Sequence, residues 1–309
     1  MSDVSRAEAI LRAACGDRVR TAFPMAPLTT FRIGGPAALY LEPESDADLV
    51  AAAHALAAGD LPHVVIGKGS NVLVSDRGFD GLVLRLGRGY RWAARDGDRL
   101  AAGGSMPLPA LAGIAVRHAL DGLAFGVAIP ASLGGAVRMN AGAHEGQMAD
   151  VVVDIDVFLV SEARTDRVPA ARAGFSYRRS ALPPDAIVTG ASVGLRPGDP
   201  AAIRAAMDDA RAWRRQTQPL AEPNCGSVFK NPVDHHAARL VEESGLKGAR
   251  VGGAQVSKKH ANFIVADVGA RAQDVRALID LIRREVESRF GVVLEPEVQM
   301  IGEFDHATG

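Results

Sequence analysis

The sequence is poor in the features that mark several large classes of protein. Its only cysteines, Cys15 and Cys225, lie far apart, which is neither a secreted disulfide framework nor a pair at zinc-ligand spacing. The most apolar strand-like stretch, 151–160, is interrupted by aspartates and is far shorter than the roughly 20 residues that span a bilayer. We therefore expect no membrane segment, no metal centre and a reducing compartment.

Charge of one sign is also missing. The chain has 35 Lys and Arg against 36 Asp and Glu, a net charge of -1, and no run of basic residues. This balance excludes the electrostatic footprint of a nucleic-acid-binding protein. Residues 1–20 lack the apolar core of a signal peptide, so we expect a cytoplasmic protein.

What remains is ordinary globular composition, with 48% hydrophobic and 23% charged residues over 309 positions, enough for two or three domains. The patterns predict an α+β fold. The stretch "RPGDP" (196–200) interrupts the chain before a polar helix, so we predict a domain boundary there, between residues 1–198 and 199–309. Apolar spacing and glycine or proline at the ends predict helices over 45–59, 107–122, 201–216, 235–245 and 271–291.

Two stretches of the sequence are rich in glycine, and the first lies between two strand patterns. In "VVIGKGSNVLV", Gly67 and Gly69 allow close backbone approach, while Ser70 and Asn71 add donors, which suits a pyrophosphate. The spacing matches neither a P-loop nor a Rossmann fingerprint, and ordinary hairpin glycines explain the pattern equally well.

The second stretch, "IPASLGGAVRMNAGAHEG", offers further hydrogen-bonding and close-approach positions at Ser132, Gly134, Gly135, Asn140 and Gly142. Two such stretches suggest one extended ligand such as a dinucleotide. The alternative is that small residues pack a helix onto a sheet.

An ordered set of motifs then resembles one known family. The motifs are "TTFRIGGPA", "VIGKGSNVLVSDRGFDGLVL", "IPASLGGAVRMNAGA", "FSYRRSAL", "NCGSVFKNP", "KHANFIV" and "EPEVQMIG". Together they span about residues 20 to 304 and resemble the UDP-N-acetylenolpyruvoylglucosamine reductase (MurB) family, in its shorter, second-type form.

The resemblance implies a two-lobed FAD-binding module of the vanillyl-alcohol-oxidase type over 1–198 and a smaller α+β substrate-binding domain over 199–309. It implies non-covalent FAD, NADPH as reductant, a UDP-linked enolpyruvyl amino sugar as substrate, and a role in peptidoglycan precursor synthesis. We expect a monomer. The residues that it implies for FAD binding are Thr30, Arg32, Ile33, Gly67, Lys68, Gly69, Ser70, Asn71, Ile129, Pro130, Ser132, Gly134, Gly135, Asn140 and Gly142.

The same resemblance implies three catalytic residues, Arg178, Ser227 and Glu297. Arg178 has the fixed charge and forked donors that suit a substrate carboxylate, and Glu297 could donate to that carboxylate or orient it. Ser227 would give its proton to a carbanion-like carbon, which needs no activating base. Tyr177, Lys230 and Asn231 are expected to bind substrate.

Purely structural roles are the alternative for several of these residues. Ser227 fits a helix N-cap or a turn, and Lys230 fits a solvated turn lysine. Ala128 and Ala131 occupy positions where the family usually has glycine, and a β-carbon at Ala131 would crowd the flavin or require a negative φ. A flavin oxidase or dehydrogenase of another small substrate, and a non-catalytic nucleotide-binding protein, are the alternative functions.

Overall fold

A computed structural model describes residues 3–144 and 146–305. Helices within these residues are α1 Asp3–Cys15, α2 Asp46–Gly59, α3 Leu108–Arg117, α4 Leu133–Arg138, α5 Pro200–Thr217, α6 Ala237–Glu243 and α7 Ala272–Phe290. None of these described helices is long and apolar enough to cross a bilayer.

Short strands make up the rest of the regular structure. The strands are β1 Arg20–Pro24, β2 Pro36–Leu41, β3 His63–Val65, β4 Val72–Val74, β5 Phe79–Leu84, β6 Ala93–Asp96, β7 Arg99–Gly103, β8 Leu120–Asp121, β9 Gly142–Ala143, β10 Gly146–Gln147, β11 Val152–Leu159, β12 Arg164–Pro169, β13 Ala186–Gly194, β14 Arg196–Pro197, β15 Arg250–Val251, β16 Ala254–Val256, β17 Ile264–Ala266 and β18 Gln299–Ile301.

The chain divides into two compact units that alternate along the sequence. Unit 1 comprises Met1–Thr21, Leu39–Lys68 and Gly81–Trp213, and unit 2 comprises Ala22–Ala38, Gly69–Asp80 and Arg214–Gly309. The chain passes between these units several times, and the boundary expected between 198 and 199 stays a prediction. One of these crossings falls inside the glycine loop, between Lys68 and Gly69.

Unit 1 contains two hydrophobic cores, as a two-lobed module requires. In the first, α1 and α2 pack with buried leucines of β2 and β5, and parallel pairing joins β3 to β5. In the second, α3 and α4 cover a five-stranded antiparallel sheet with the order β12-β11-β13-β7-β6. Strand β13 is buried along nearly its whole length because it lies at the centre of that sheet.

Unit 2 has one core beneath α6 and α7. The sheet β15-β16-β17 is antiparallel, and β18 pairs in parallel with β4, joining residues more than two hundred positions apart in sequence. The apolar stripe of α7 faces this core, and Gly291 ends the helix in the left-handed conformation with φ 68°. The mixed helices and strands confirm the α+β class.

Candidate active site

A tight turn carries Arg178 in unit 1. The Ser176 N–H donates to the Arg179 carbonyl at 2.9 Å, and the Arg179 N–H donates back to the Ser176 carbonyl at 3.1 Å. Arg178 takes φ 55°, in the left-handed region that a side chain with a β-carbon seldom adopts. Such strain is maintained only where the surroundings hold the backbone.

Asn140 provides much of the hydrogen bonding that fixes the turn of Arg178. Only 1% of its surface is exposed, and its amide nitrogen donates to the Ser176 carbonyl at 2.9 Å and to the Gln147 side chain at 3.0 Å. Its amide oxygen accepts from the Ala149 N–H at 2.8 Å. Every hydrogen-bonding group of this side chain is thus used inside the protein, although the sequence predicted that Asn140 binds FAD.

The guanidinium of Arg178 is itself oriented by neighbours. Its Nη2 donates to the Gly142 carbonyl at 2.9 Å, and its Cζ lies 5.0 Å from the centre of the Tyr177 ring. Tyr177 is 49% exposed, while Arg178 is half-buried. A planar cation held over an aromatic face keeps its remaining donors in one plane, which suits recognition of a carboxylate.

Ser227 lies in unit 2 after a glycine that permits its backbone path. Gly226 has φ 80°, and its N–H donates to the Asn224 side chain at 2.9 Å. No helix starts at Ser227, since the next one begins at Ala237, so the helix-cap reading of this serine is wrong. Within the described residues the Ser227 hydroxyl has no hydrogen-bond partner, and the residue is half-buried.

The segment after Ser227 runs antiparallel to the segment that contains Glu297. The Glu297 N–H donates to the Val228 carbonyl at 2.7 Å, and the Lys230 N–H donates to the Glu295 carbonyl at 3.0 Å. The structure thereby brings Glu297 next to Ser227, two residues separated by most of unit 2 in sequence. Arg178 belongs to unit 1.

Lys230 and Asn231 have partners in this same region. The Lys230 ammonium contacts the Glu295 carboxylate at 2.6 Å, and the lysine side chain is 19% exposed whereas that of Glu295 is 69% exposed. The Asn231 amide oxygen accepts from the Ala237 N–H at 3.0 Å, at the start of α6. Lys230 is therefore not a freely solvated turn lysine.

The glycine loop 67–71 has the donor set of an anion site. None of its five backbone N–H groups donates a hydrogen bond to any described residue. The Thr30 N–H donates to the Gly69 carbonyl at 3.0 Å, and Asn71 donates through its side chain to the Glu297 carbonyl at 3.1 Å. Consecutive open N–H groups can bind a diphosphate without a cationic side chain.

Residues of this loop differ in what fixes them. Gly69 has φ 63°, and a β-carbon there would clash with the Leu28 carbonyl. Lys68 is exposed at its surface, yet partial desolvation of its ammonium, followed by the nearby positive charges of Arg85 and Arg91, lowers its pKa. Arg32 is exposed with φ 58°, and Ile33 is buried in the unit 2 core.

The second glycine-rich stretch is packed into unit 1. The Ser132 hydroxyl accepts from the Gly135 N–H at 3.4 Å and caps α4, while the Gly134 N–H donates to the Gly104 carbonyl at 2.9 Å. A β-carbon at Gly67 would collide with the Ser132 hydroxyl, so the two stretches meet. Ile129 and Pro130 lead into this cap with partly open surfaces.

The two alanines at glycine positions fit without strain. Ala128 is buried at the end of a short 3₁₀ helix, and Ala131 packs at the edge of the larger unit 1 core. Neither is among the residues with positive φ. The backbone at these two positions therefore does not need glycine. The expectation that Ala131 requires a negative φ is met.

Cys225, two residues before Ser227, is a structural thiol. It is 2% exposed within the unit 2 core, and burial, followed by the negative charge of Glu297, raises the pKa of its thiol. A buried thiol with a raised pKa is a poor nucleophile and a poor redox group.

The chain is similar in sequence to known proteins over most of its length. Residues 37–164 match the sequence model of the FAD binding domain, and residues 218–301 match that of the UDP-N-acetylenolpyruvoylglucosamine reductase C-terminal domain. The chain is 47% identical over 282 residues to a UDP-N-acetylenolpyruvoylglucosamine reductase from Heliobacterium modesticaldum, covering 91% of this chain and 90% of that protein.

Solved structures extend the agreement to the fold. The chain is similar, with a TM-score of 0.80 and 35% identity, to the crystal structure of MurB from Thermus caldophilus, covering 92% of this chain and 99% of that one. A more distant likeness, with a TM-score of 0.50 and 13% identity over 69% of this chain and 50% of the other, is to Phl p 4.0202, a glucose dehydrogenase. The second likeness shows the shared fold alone.

Proposed function

The chain belongs to the UDP-N-acetylenolpyruvoylglucosamine reductase family, and from that premise we propose that Ser227 is the proton donor of its reaction. The enzyme is an oxidoreductase, a UDP-N-acetylmuramate dehydrogenase, that uses FAD. It reduces the enolpyruvyl C=C of the UDP-linked amino sugar to a lactyl ether, a step in peptidoglycan precursor synthesis. The assignments of individual residues below are our own.

FAD, when bound, supplies the hydride that adds to the terminal vinyl carbon of the substrate. We assign the backbone N–H groups of loop 67–71 to its diphosphate, since they have no acceptor among the described residues. Ser132, Gly134 and Gly135 line the neighbouring stretch. Thr30 holds the backbone of this loop, because its N–H donates to the Gly69 carbonyl. Its hydroxyl donates to the Asn224 carbonyl at 2.6 Å.

Arg178 binds the substrate carboxylate and favours the electron-rich form that follows hydride addition. Negative charge then spreads from the α-carbon onto that carboxylate, and a cation that cannot lose its proton lowers the free energy of this state. Glu297 lies beside Ser227 in the chain's fold and orients the same carboxylate or donates to it. Tyr177, Lys230 and Asn231 contact the remaining substrate groups, with Lys230 leaving Glu295 for a phosphate oxygen.

The observation that carries the role of Ser227 is the state of its hydroxyl. The backbone on its C-terminal side is fixed by hydrogen bonds, while the hydroxyl has no partner among the described residues. A nucleophilic serine needs a base hydrogen-bonded to its hydroxyl, and no described side chain makes that hydrogen bond. A serine that gives a proton to a strongly basic carbon needs only correct position.

We further propose that NADPH is the reductant and that the enzyme works as a monomer in the cytoplasm. Both described cysteines are free thiols, which suits a reducing compartment. Roles in cell shape and division follow from the supply of cell-wall precursor.

The experiment is an anaerobic titration of the purified holoenzyme followed by absorbance. We expect NADPH to bleach the flavin and the UDP-linked enolpyruvyl sugar to restore its colour. In Ser227→Ala, reduction by NADPH should keep its rate, while reoxidation by the sugar nucleotide slows by about 10²- to 10⁴-fold. Equal slowing of both half-reactions contradicts the proton-donor role, and rapid reoxidation by oxygen with no response to the sugar indicates an oxidase instead.

A further inference from the structure

Asn262 lies in the motif "KHANFIV", to which the sequence assigned no chemistry. It is 4% exposed, and its side-chain amide forms a matched pair of hydrogen bonds with one residue of the Ser227 segment. The amide oxygen accepts from the Phe229 N–H at 3.0 Å, and the amide nitrogen donates to the Phe229 carbonyl at 2.9 Å. The Asn262 carbonyl also accepts from the Val228 N–H at 2.9 Å.

Asn262 is itself firmly held. Its N–H donates to His260 Nδ1 at 3.2 Å, and the following Phe263 donates through its N–H to the His260 carbonyl at 3.0 Å. Burial lowers the pKa of His260, which favours the neutral ring whose Nδ1 can accept. The chain then enters β17, whose residues pair with β16. The backbone that carries the Asn262 amide is therefore fixed next to the β16–β17 pair of unit 2.

Together with the Glu297 segment, Asn262 uses every backbone polar group from the Val228 N–H to the Lys230 N–H. Three of these five groups bond to Asn262, one to the Glu297 N–H and one to the Glu295 carbonyl. The side chains of Val228 and Phe229 are also buried in the core. The peptide that follows Ser227 is therefore held at each backbone polar group from the Val228 N–H to the Lys230 N–H.

This constraint matters because a serine hydroxyl is attached directly to the β-carbon. The position of its oxygen follows the backbone, and only rotation about one bond remains. A displacement of about 1 Å in a reacting group can cost about 10²-fold in rate. Since the Ser227 hydroxyl has no partner among the described residues, its placement depends on the adjacent peptide.

We propose that Asn262 is the positioning residue that fixes Ser227 for proton transfer to the substrate, an inference that rests on the proposed function. In that step the O–H bond of Ser227 breaks and a C–H bond forms at the substrate α-carbon. The hydride supplies the electron pair of the other new C–H bond, and water returns a proton to the serine oxygen. Asn262 touches neither substrate nor cofactor in this scheme.

The test measures the two half-reactions of the holoenzyme separately in Asn262→Asp. An ionised aspartate still accepts from the Phe229 N–H but cannot donate to the Phe229 carbonyl. We expect flavin reduction by NADPH to stay within about threefold, while reoxidation by the sugar nucleotide slows by roughly 10²-fold. The solvent isotope effect on reoxidation should rise as proton transfer becomes slower than the other steps.

The matched control is Ser257→Ala. Ser257 is also buried in the same connection before β17, and its hydroxyl accepts from the Lys259 N–H at 3.1 Å. It makes no hydrogen bond with residues 228–230 among the described residues. Hydrogen exchange of the peptide containing 228–230 should quicken in Asn262→Asp and not in Ser257→Ala, a readout independent of catalysis.

A double variant separates this inference from the role of Ser227. If Asn262 acts through Ser227, Ser227→Ala with Asn262→Asp should be as slow as Ser227→Ala alone. Additive losses, equal slowing of both half-reactions, or reoxidation within threefold of the wild type would overturn the positioning role. An unaffected Ser227→Ala would instead remove the proton donor. Should Asn262→Asp not fold, Asn262→Ser is read in the same way.

Discussion

The turn that carries Arg178 and the loop that carries Ser227 place their side chains by different means. In the turn, a non-glycine residue takes φ 55° and the guanidinium is set by its own contacts with Gly142 and Tyr177. In the loop, Gly226 takes the positive φ and the backbone after Ser227 is bonded on both sides. The long Arg178 side chain is oriented by contacts of its guanidinium, whereas the short Ser227 hydroxyl is positioned by its backbone.

One similarity underlies the difference. Each segment is bonded through its backbone by a buried asparagine, Asn140 in unit 1 and Asn262 in unit 2. Asparagine suits this task because one amide offers both donor and acceptor to a neighbouring peptide. The comparison predicts that side-chain changes at the turn and backbone changes at the loop have the larger effects.

Within the turn, the largest effect is expected from loss of the Arg178 guanidinium. Arg178→Ala should slow flavin reoxidation by the sugar nucleotide by roughly 10²- to 10³-fold, because an unpaired substrate carboxylate then stays in the site. Arg178→Lys should recover only part of this loss, since lysine lacks the planar fork. Stopped-flow absorbance measures the reoxidation rate of both variants. Full recovery by lysine would contradict the proposal that Gly142 and Tyr177 orient a planar guanidinium towards the carboxylate.

Loss of the turn's anchor comes next. Asn140→Ala should lower the free energy of unfolding by about 2–3 kcal/mol, because the Ala149 N–H loses its partner and the Ser176 carbonyl keeps only its bond from the Arg179 N–H. Urea denaturation measures this change, and KM for the sugar nucleotide should rise as the turn loosens. Thr189→Val, which removes one hydrogen bond to the Asp156 carbonyl elsewhere in unit 1, is the control and should leave KM unchanged.

A backbone change tests the loop with a matched partner. Gly226 and Gly245 have φ 80° and 75°; a β-carbon at Gly226 would make only an ordinary contact, 3.9 Å from the Ser70 carbonyl oxygen, and one at Gly245 would meet nothing within 4 Å. Alanine at each should cost about 1 kcal/mol or somewhat more of stability through strain alone. Only Gly226→Ala should also slow reoxidation of the flavin by the substrate. Equal rates in the two variants would show that the Ser227 peptide tolerates displacement.

Lowering the pH should weaken an ion pair in unit 1 but not the neutral hydrogen bonds that hold the Ser227 loop. The Arg18 guanidinium, 2.6 Å from Asp48, holds the pKa of that carboxyl at about 2. Because the folded pKa lies below the usual value, this stability is present above about pH 4 and is lost as pH falls towards 2. With Arg18 partly exposed, we expect an effect of no more than about 1 kcal/mol. Asp48→Asn should abolish this pH dependence, as measured by acid unfolding curves.

The sequence predicted most local elements because their signals are local. Ser45 caps α2 as expected, its hydroxyl accepting from the Asp48 N–H at 3.4 Å, and Gly291 ends α7. The end of α2 differs, since Asp60 rather than Gly59 takes the left-handed conformation, with φ 47°. Aspartate tolerates that conformation better than most residues, so a glycine signal one residue away was misleading.

Long-range organisation was harder to read. A composition break at 196–200 is visible in sequence, but nothing in the sequence of 22–38 or 69–80 reveals that these segments belong to unit 2. Arg178, Ser227 and Glu297 came from a resemblance carried by ordered motifs. The anchoring roles of Asn140 and Asn262 were missed because each depends on a distant peptide that only folding brings near.

The pairing of β4 with β18 has a consequence for the order of events in the cell. A ribosome releases Val72–Val74 long before it makes Gln299–Ile301, the only strand that pairs with β4 among the described residues. Loop closure across that distance belongs to the slow class of folding steps. We therefore expect Gly69, Ser70 and Asn71 to remain in an unfinished unit until Gln299–Ile301 has been made, and the flavin binding that we propose for this loop to follow that step.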